Sequence, residues 1–464
     1  VHNELREQRH SPWVAFAMCS AAMYLTTLDL SVVNVAFPNI LNDFGISRAD
    51  ASWIVTIYNI FFASLLVVAG KTADSIGRRR MFRIGVALFS IGSLGAAIAP
   101  SLGPLIVARA VQGAGGAILT PATLGLLIAA FPLERRTQVV AMWGGAGALG
   151  VASGPSLGAL VISLSDWRAA FWINLPLCTI LLAISGRFLS ESPRSPSEQR
   201  PDYGGASLIT LALAALALGI SQSEVWGPTD VRTLGCIAGG LAVVAAFVRR
   251  QKTHPEPIVD LALFESRSFT IANFSGLAFF AGFAAMGLNN VLFLREAWGY
   301  DILTAGLLTA AAPVVVAICA PFSGQLAHRH GFRPFVVMGP LIIAGFMVLF
   351  TALFESERQP ALFLILYSIL AIGVGAFIPV NTAAAMAELP ADQLSVGGAV
   401  NNTFRQVGSV LGIAALVAVL GDPTGHEELV DSFHRGWYLI AGTMVLAGLT
   451  GLRQRRGNFW RPIL

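Results

Sequence analysis

Apolar residues run along this chain in blocks of about 20, parted by short polar stretches, and the blocks recur from one end to the other. About 20 residues is what a helix needs to cross roughly 30 Å of hydrocarbon. Fourteen such blocks can be drawn: 13–38, 50–70, 81–100, 104–131, 138–163, 168–189, 203–223, 231–249, 268–294, 303–327, 334–354, 360–387, 394–420 and 434–452. Barrel strands would alternate over about 10 residues instead of staying apolar throughout. The pattern therefore predicts an all-α integral membrane protein with 14 transmembrane helices. The first block is too long for a signal peptide, carries Asp29 and lacks a small-residue cleavage site, so a retained helix is expected there.

Composition agrees, with 55% hydrophobic residues, 12% charged residues and a mean hydropathy of +0.69 over 464 residues. Soluble domains carry about twice that share of charge. If the N-terminus lies inside, six arginines fall outside (Arg48, Arg168, Arg232, Arg295, Arg358 and Arg435) and Arg109 and Arg405 fall within spans. That leaves 22 of the 30 basic residues inside. The positive-inside rule then places both termini in the cytoplasm and the protein in the plasma (inner) membrane. The net charge of +4 resides in these loops, where it meets anionic lipid, and no nucleic-acid partner is expected. Cys19, Cys178, Cys236 and Cys319 lie in four different spans and are expected to be small packing residues.

The polar stretch "SESPRSPSEQRPDYGG" at 190–205 reads as a linker after span 6. Across it a repeat is visible. "GKTADSIGRRR" at 70–80 and "GQLAHRHGFRP" at 324–334 share Gly70/Gly324, Ala73/Ala327, Gly77/Gly331 and Arg79/Arg333 at an offset of 254. The same offset carries Gly154 to Gly408 and Gly158 to Gly412. Spans 1–6 (residues 1–189) and 9–14 (residues 268–464) are thus expected to be parallel six-helix bundles. Residues 190–267 supply the linker and two inserted spans. In such transporters the substrate site lies near the midplane between halves.

Five motifs now stand in order: "LDLSVVNVAFP" in span 1, "GKTADSIGRRR" after span 2, "RAVQGAGGAI" in span 4, "GVASGPSLGA" in span 5 and "DWRAAFWINLP" entering span 6. On these the sequence resembles the major facilitator superfamily, in its fourteen-span drug:proton antiporter branch, over nearly the whole chain. Ser31 stands where the branch often has threonine, and His328 where the second loop motif could have held aspartate. The resemblance implies a cytoplasmic latch in which Asp74, with Arg78 or Arg79, meets the start of span 13. It also implies coupling between the span 1 acid and the span 4 arginine. It names the span 5 glycines with Pro155 the antiporter motif, which governs occlusion.

The residues have physical readings of their own. Gly70 and Gly77 permit a tight turn, and Asp74 can accept from a cation or a helix N-terminus. Pro155 removes one backbone bond, while Gly144, Gly147, Gly150, Gly154 and Gly158 leave one side of span 5 nearly bare for helix packing. Arg109 and Arg405 are costly in lipid unless they face a partner or a cavity. Asp29 lies nine residues before Pro38, and Arg109 about five after the start of span 4, so their depths differ by only some 6 Å. They can meet, although Arg109 could instead snorkel to the interface. A carboxylate whose surroundings change from arginine to water can load and release a proton; the other reading is a fixed Asp29–Arg109 pair that pins spans 1 and 4. Asp29 is the one midplane acid, which points to one proton per cycle.

Candidate cargo-lining groups are Ser31, Asn34, Tyr58, Asn59, Gln112, Trp143, Asn289, Asn290, Asn381, Asn402, Phe404 and Arg405, a mix of amides and rings suited to amphipathic molecules. The nucleotide cradle G-x-x-x-x-G-K-[ST] is absent. Neither cofactor nor metal is expected, and the seven histidines fall in tails and loops, so an enzyme is not expected either. The expectation is a monomeric, proton-driven exporter of drugs, dyes or secondary metabolites. A lipid, glycolipid or siderophore exporter, or an uptake carrier, would suit the same fold.

Overall fold

The computed structural model describes residues 12–191, 202–255, 257–389 and 394–454, with no strand among them. The long helices follow in order: α1 (Pro12–Phe44), α2 (Arg48–Ile76), α3 (Arg78–Ala97), α4 (Leu102–Ala130), α5 (Leu133–Leu164) and α6 (Asn174–Phe188). Then come α7 (Tyr203–Ser221), α8 (Val231–Thr253), α9 (Arg267–Leu292), α10 (Ile302–His330), α11 (Arg333–Leu353), α12 (Pro360–Met386), α13 (Leu394–Leu420) and α14 (His426–Gly451). Short polar caps fix several starts. Ser47, Asp202, Asp230, Ser266 and Asp301 each accept from a backbone N–H in the first turn of the helix that follows.

Among the described residues, twelve helices are long and apolar enough to cross a membrane, or up to 13 when the two parts of α5, Met142–Val151 and Ser153–Leu164, count as one span bent by 42°. The expected count of fourteen is not reached on length and apolar composition. The helix left out is α14, which opens with Glu427 and Glu428 and carries Asp431, His434 and Arg435 before its apolar run begins. The first block also extends further than expected, because α1 continues through Pro38 to Phe44.

Helix pairs repeat across the linker. α1 packs on α5 as α9 packs on α13, and α2 on α4 as α10 on α12. α7 and α8 pair with each other, and α7 lies against α2 and α13. The offset of 254 places α2 on α10 residue for residue, and both Gly77 and Gly331 take positive φ (115° and 81°) at the helix ends where the motif copies turn. Glycine is the residue that reaches this region freely.

The first and last six helices meet along α5–α10, α2–α13 and α1–α9. At the end remote from Pro12 and Gly451, here called the distal end, one apolar core runs across this meeting from Val32, Phe37 and Ile40 to Phe293, Leu294 and Leu420. Arg48 spans this seam, pairing with Glu296 and donating from Nη1 to the Gly421 carbonyl at 2.7 Å. Arg295 Nη2 donates to Asn39 Oδ1 across it at 3.3 Å. In the last six helices, Phe293, Trp298, Phe350, Phe354, Phe363 and Trp437 form an aromatic brace near the distal end. Around both bundles Ile91, Val107, Leu241, Ile318 and Phe322 are exposed, an apolar girdle suited to lipid.

Candidate functional site

The site begins with α1, which carries Asp29 into the interior of the first bundle. Its carboxylate and the Arg109 guanidinium are both 0% exposed, and Arg109 Nη1 donates to Asp29 Oδ2 at 2.6 Å. Gln112, one turn further along α4, donates from Nε2 to Asp29 Oδ1 at 2.7 Å and accepts from Arg109 Nη1 at 2.6 Å. Asn174 at the start of α6 donates to the same Oδ1 at 2.9 Å. Ser93 on α3 accepts from Asn174 at 2.9 Å and from Gln112 at 3.3 Å, while giving its own proton to the Phe171 carbonyl. The guanidinium also donates to the Ile54 carbonyl and lies 4.4 Å over the Tyr58 ring. Five helices, α1 to α4 and α6, thus converge around one carboxylate.

Close packing makes this possible. A Cβ added at Gly113 would meet Tyr58 O at 2.5 Å, and one at Gly92 would meet the Gln112 backbone at 2.6 Å, so these two glycines bring α2 and α3 against α4. The donors around Asp29 are an arginine and two amides, so both carboxylate oxygens have partners. Protonation would leave Arg109, whose Nη2 already lacks a partner, as an uncompensated buried cation.

α5 carries the next part. Gly150, Gly154 and Gly158 face Thr27, Ser31 and Val32 of α1, where an added Cβ would come within 2.2, 2.3 and 3.0 Å. Pro155 has no N–H for the Val151 carbonyl, and Ser31 Oγ donates to that carbonyl instead at 3.1 Å. Ser31 therefore mends the backbone that the proline opens, two residues from Asp29. On its other side the proline carbonyl lies 2.7 Å from where a Cβ at Gly306 of α10 would stand, so the bend sits where the two halves touch.

This arrangement of paired bundles, a motif-borne acid and a proline-broken α5 agrees with the comparisons. The Major Facilitator Superfamily model matches residues 19–249 and 273–462. The chain belongs to this superfamily. It is 30% identical over 400 residues to the "Multidrug resistance protein Stp" of Mycobacterium tuberculosis (strain CDC 1551 / Oshkosh), covering 86% of this chain and 74% of that one. It is 28% identical over 427 residues to the "Tetracenomycin C resistance and export protein" of Streptomyces glaucescens, covering 92% and 79%. Among solved structures it resembles a POT family transporter in complex with 5-aminolevulinic acid, with a TM-score of 0.68, 14% identity and 94% coverage of each chain. A superfamily transporter in the membrane is thereby established, and the relatives carry resistance and export names.

Within this major facilitator chain, the remaining sequence candidates scatter. Gln112 and Tyr58 belong to the Asp29 cluster and Ser31 to the α5 mend. Asn289 and Asn290 are buried in the second bundle, the first donating to the Phe433 carbonyl and the second accepting from Trp437 Nε1 at 2.8 Å. Asn381 donates to the Ala272 carbonyl at 3.0 Å. Asn59 and Trp143 are buried. Asn34 of α1 is half-buried and faces Gly287 of α9 at the meeting of the halves. Phe404 packs on Phe264 and Phe274. Asn402 and Arg405 are half-buried on α13.

In the loop motif, Gly70 rests on Pro121, Arg78 Nη1 donates to the Gly125 carbonyl at 2.8 Å, and Arg79 meets the Leu189 carbonyl and Glu191. The Asp74 side chain and residues 390–393 before α13 lie outside the described residues, and with them the expected latch contact. Sequence reasoning missed Ser93 and Asn174, although Asn174 lies in the "DWRAAFWINLP" motif. It also missed the Arg48–Glu296 seam, since both residues looked like loop charges. All four cysteines are free, Cys19 and Cys178 buried and Cys236 and Cys319 half-buried.

Proposed function

We propose that this protein is a proton-coupled antiporter that exports hydrophobic or amphipathic small molecules by alternating access. It belongs to the fourteen-span branch, with α5 crossing as a bent helix and α14 through its apolar run, and both termini lie in the cytoplasm. The observation that carries this reading is Asp29, a sealed mid-span carboxylate surrounded by Arg109, Gln112 and Asn174. Proton uptake at Asp29 dissolves the pair with Arg109, removes the reason for five helices to converge, and favours a state in which the first bundle repacks. Export and resistance names among its relatives support efflux as the direction.

The cycle follows from these residues. With Asp29 ionised the distal seam is shut by Arg48, Glu296 and the shared apolar core. A proton entering from the far side neutralises Asp29, and the bend at Pro155 lets α5 move against α1 and α10. Purified protein in liposomes under a pH gradient tests the reading: an amphipathic dye should trigger proton release measured by a lumenal pH indicator. Dye movement with no proton flux, or none at all in wild type, refutes it.

A further inference from the structure

The two arginines within spans are treated differently. Arg109 is enclosed and given a carboxylate. Arg405 stands fifteen residues before the end of α13, as Asp29 stands fifteen before the end of α1, so the two lie at about the same depth. Among the described residues Arg405 has no ion pair and no side-chain hydrogen bond, and its Nε is buried without an acceptor. Its guanidinium carbon lies 4.2 Å over the ring of Phe280. α13 contains no acid, and α2, α7, α9, α12, α14 and the short helix Ser223–Trp226, which pack on it, carry none beyond the end turns of α2, Glu224 of the short helix and the first two turns of α14. The mid-span acid of the other bundle, Asp29, already holds Arg109.

A cation at this depth costs more than one aromatic face returns. Among the described residues no carboxylate balances it. Beside Arg405 the rings of Phe280 and Phe283 meet edge to face at 5.9 Å, and Phe279 next to them stacks on Phe377 at 4.0 Å. Asn402, one turn before Arg405, offers a half-buried amide. A planar fork of donors against an aromatic wall is complementary to a ring that bears a carboxylate.

We infer that Arg405 is the anchor for an anionic aromatic cargo, whose carboxylate meets the guanidinium while its ring lies along the half-buried Phe283. The ligand's status as cargo rests on the export reading, whereas its binding does not. The shared chemistry, an anion beside an apolar aromatic wall, could also come from a lipid headgroup, so the test separates the two.

Full-length protein in phosphatidylcholine nanodiscs is titrated calorimetrically with 2-naphthoate and with 2-naphthamide, which share a ring and nearly a shape. Wild type should bind the carboxylate at least about tenfold more tightly. Arg405→Gln should abolish that preference and leave naphthamide binding within about twofold, while Arg405→Lys, with the charge but not the fork, should keep part of it. Equal affinities in wild type, no saturable binding of either probe, or a preference that survives Arg405→Gln overturns the assignment. So does displacement of naphthoate by nanodiscs doped with phosphatidylglycerol, which would make a headgroup the occupant. A naphthoate preference without dye-triggered proton release would sink the antiport reading and leave the anchor standing.

Discussion

Replacing Asp29 by asparagine changes volume little and removes the charge that Arg109 is enclosed to meet. Oδ1 accepts from Gln112 and Asn174 and Oδ2 from Arg109, so an amide nitrogen in either place faces a donor. With both side chains of the pair 0% exposed, water cannot substitute. Stranding one partner of such a pair costs about 3–5 kcal/mol, or roughly two to four powers of ten in an equilibrium constant. If the cluster is a switch, that cost falls on this conformation and the protein leaves it. Spin labels at Ser165→Cys and Glu357→Cys, on distal loops of the two halves, should then report longer distances in Asp29→Asn. Thermal stability should fall by much less than the full cost. Arg109→Leu added to Asp29→Asn removes the stranded cation and should restore the short distances. A fixed pair predicts unchanged distances with a lower Tm. Wild-type distances together with a wild-type Tm in Asp29→Asn would refute the reasoning for both.

Three other substitutions probe separate features. Ser31→Ala should cost about 1 kcal/mol by orphaning the Val151 carbonyl, read as a lower Tm, whereas Ser31→Thr keeps the hydroxyl and should cost less. Arg48→Ala removes both the Glu296 pair and the Gly421 bond and should populate long distal distances in the same spin-label experiment, with Arg48→Glu/Glu296→Arg recovering part of the closure. Burial raises the Asp202 pKa, but the Gly205 N–H, Arg250 and Gln251 outweigh it and hold the carboxyl below its usual range. Its stabilisation is thus complete above the ordinary carboxylate pKa of about 3.9 and is lost as pH falls through the lower folded value. The Tm gap between wild type and Asp202→Asn should close over that acid window and stay constant near neutrality.

Hydropathy made the helices legible because a membrane demands long apolar runs, and the offset of 254 made the two bundles legible because glycine contacts recur with the repeat. Its limits show at α14, where acids in the first turns mask a helix that packs on α9 and α11, and at Pro38, which bends no helix to its end. Charge and depth brought Asp29 to Arg109 from sequence alone. They could not place Gln112, because an amide looks the same whether it lines a cavity or orients a carboxylate. Ser93 and Asn174 escaped for the same reason. Arg48 and Glu296 are 248 residues apart, and only the closing of one bundle on the other gives them to each other.

The offset also sets Phe283 and Phe363 where the first bundle has Asp29 and Arg109, and the second bundle is braced there by rings instead. Stacked rings carry no charge, so neither acidity nor membrane voltage changes how they fit together. If the two halves move against each other as proposed, one is then tuned by its surroundings while the other keeps its shape. The second half serves as the frame against which the movement of the first is measured, and heat or detergent, not pH, is the stress that should find its weakness.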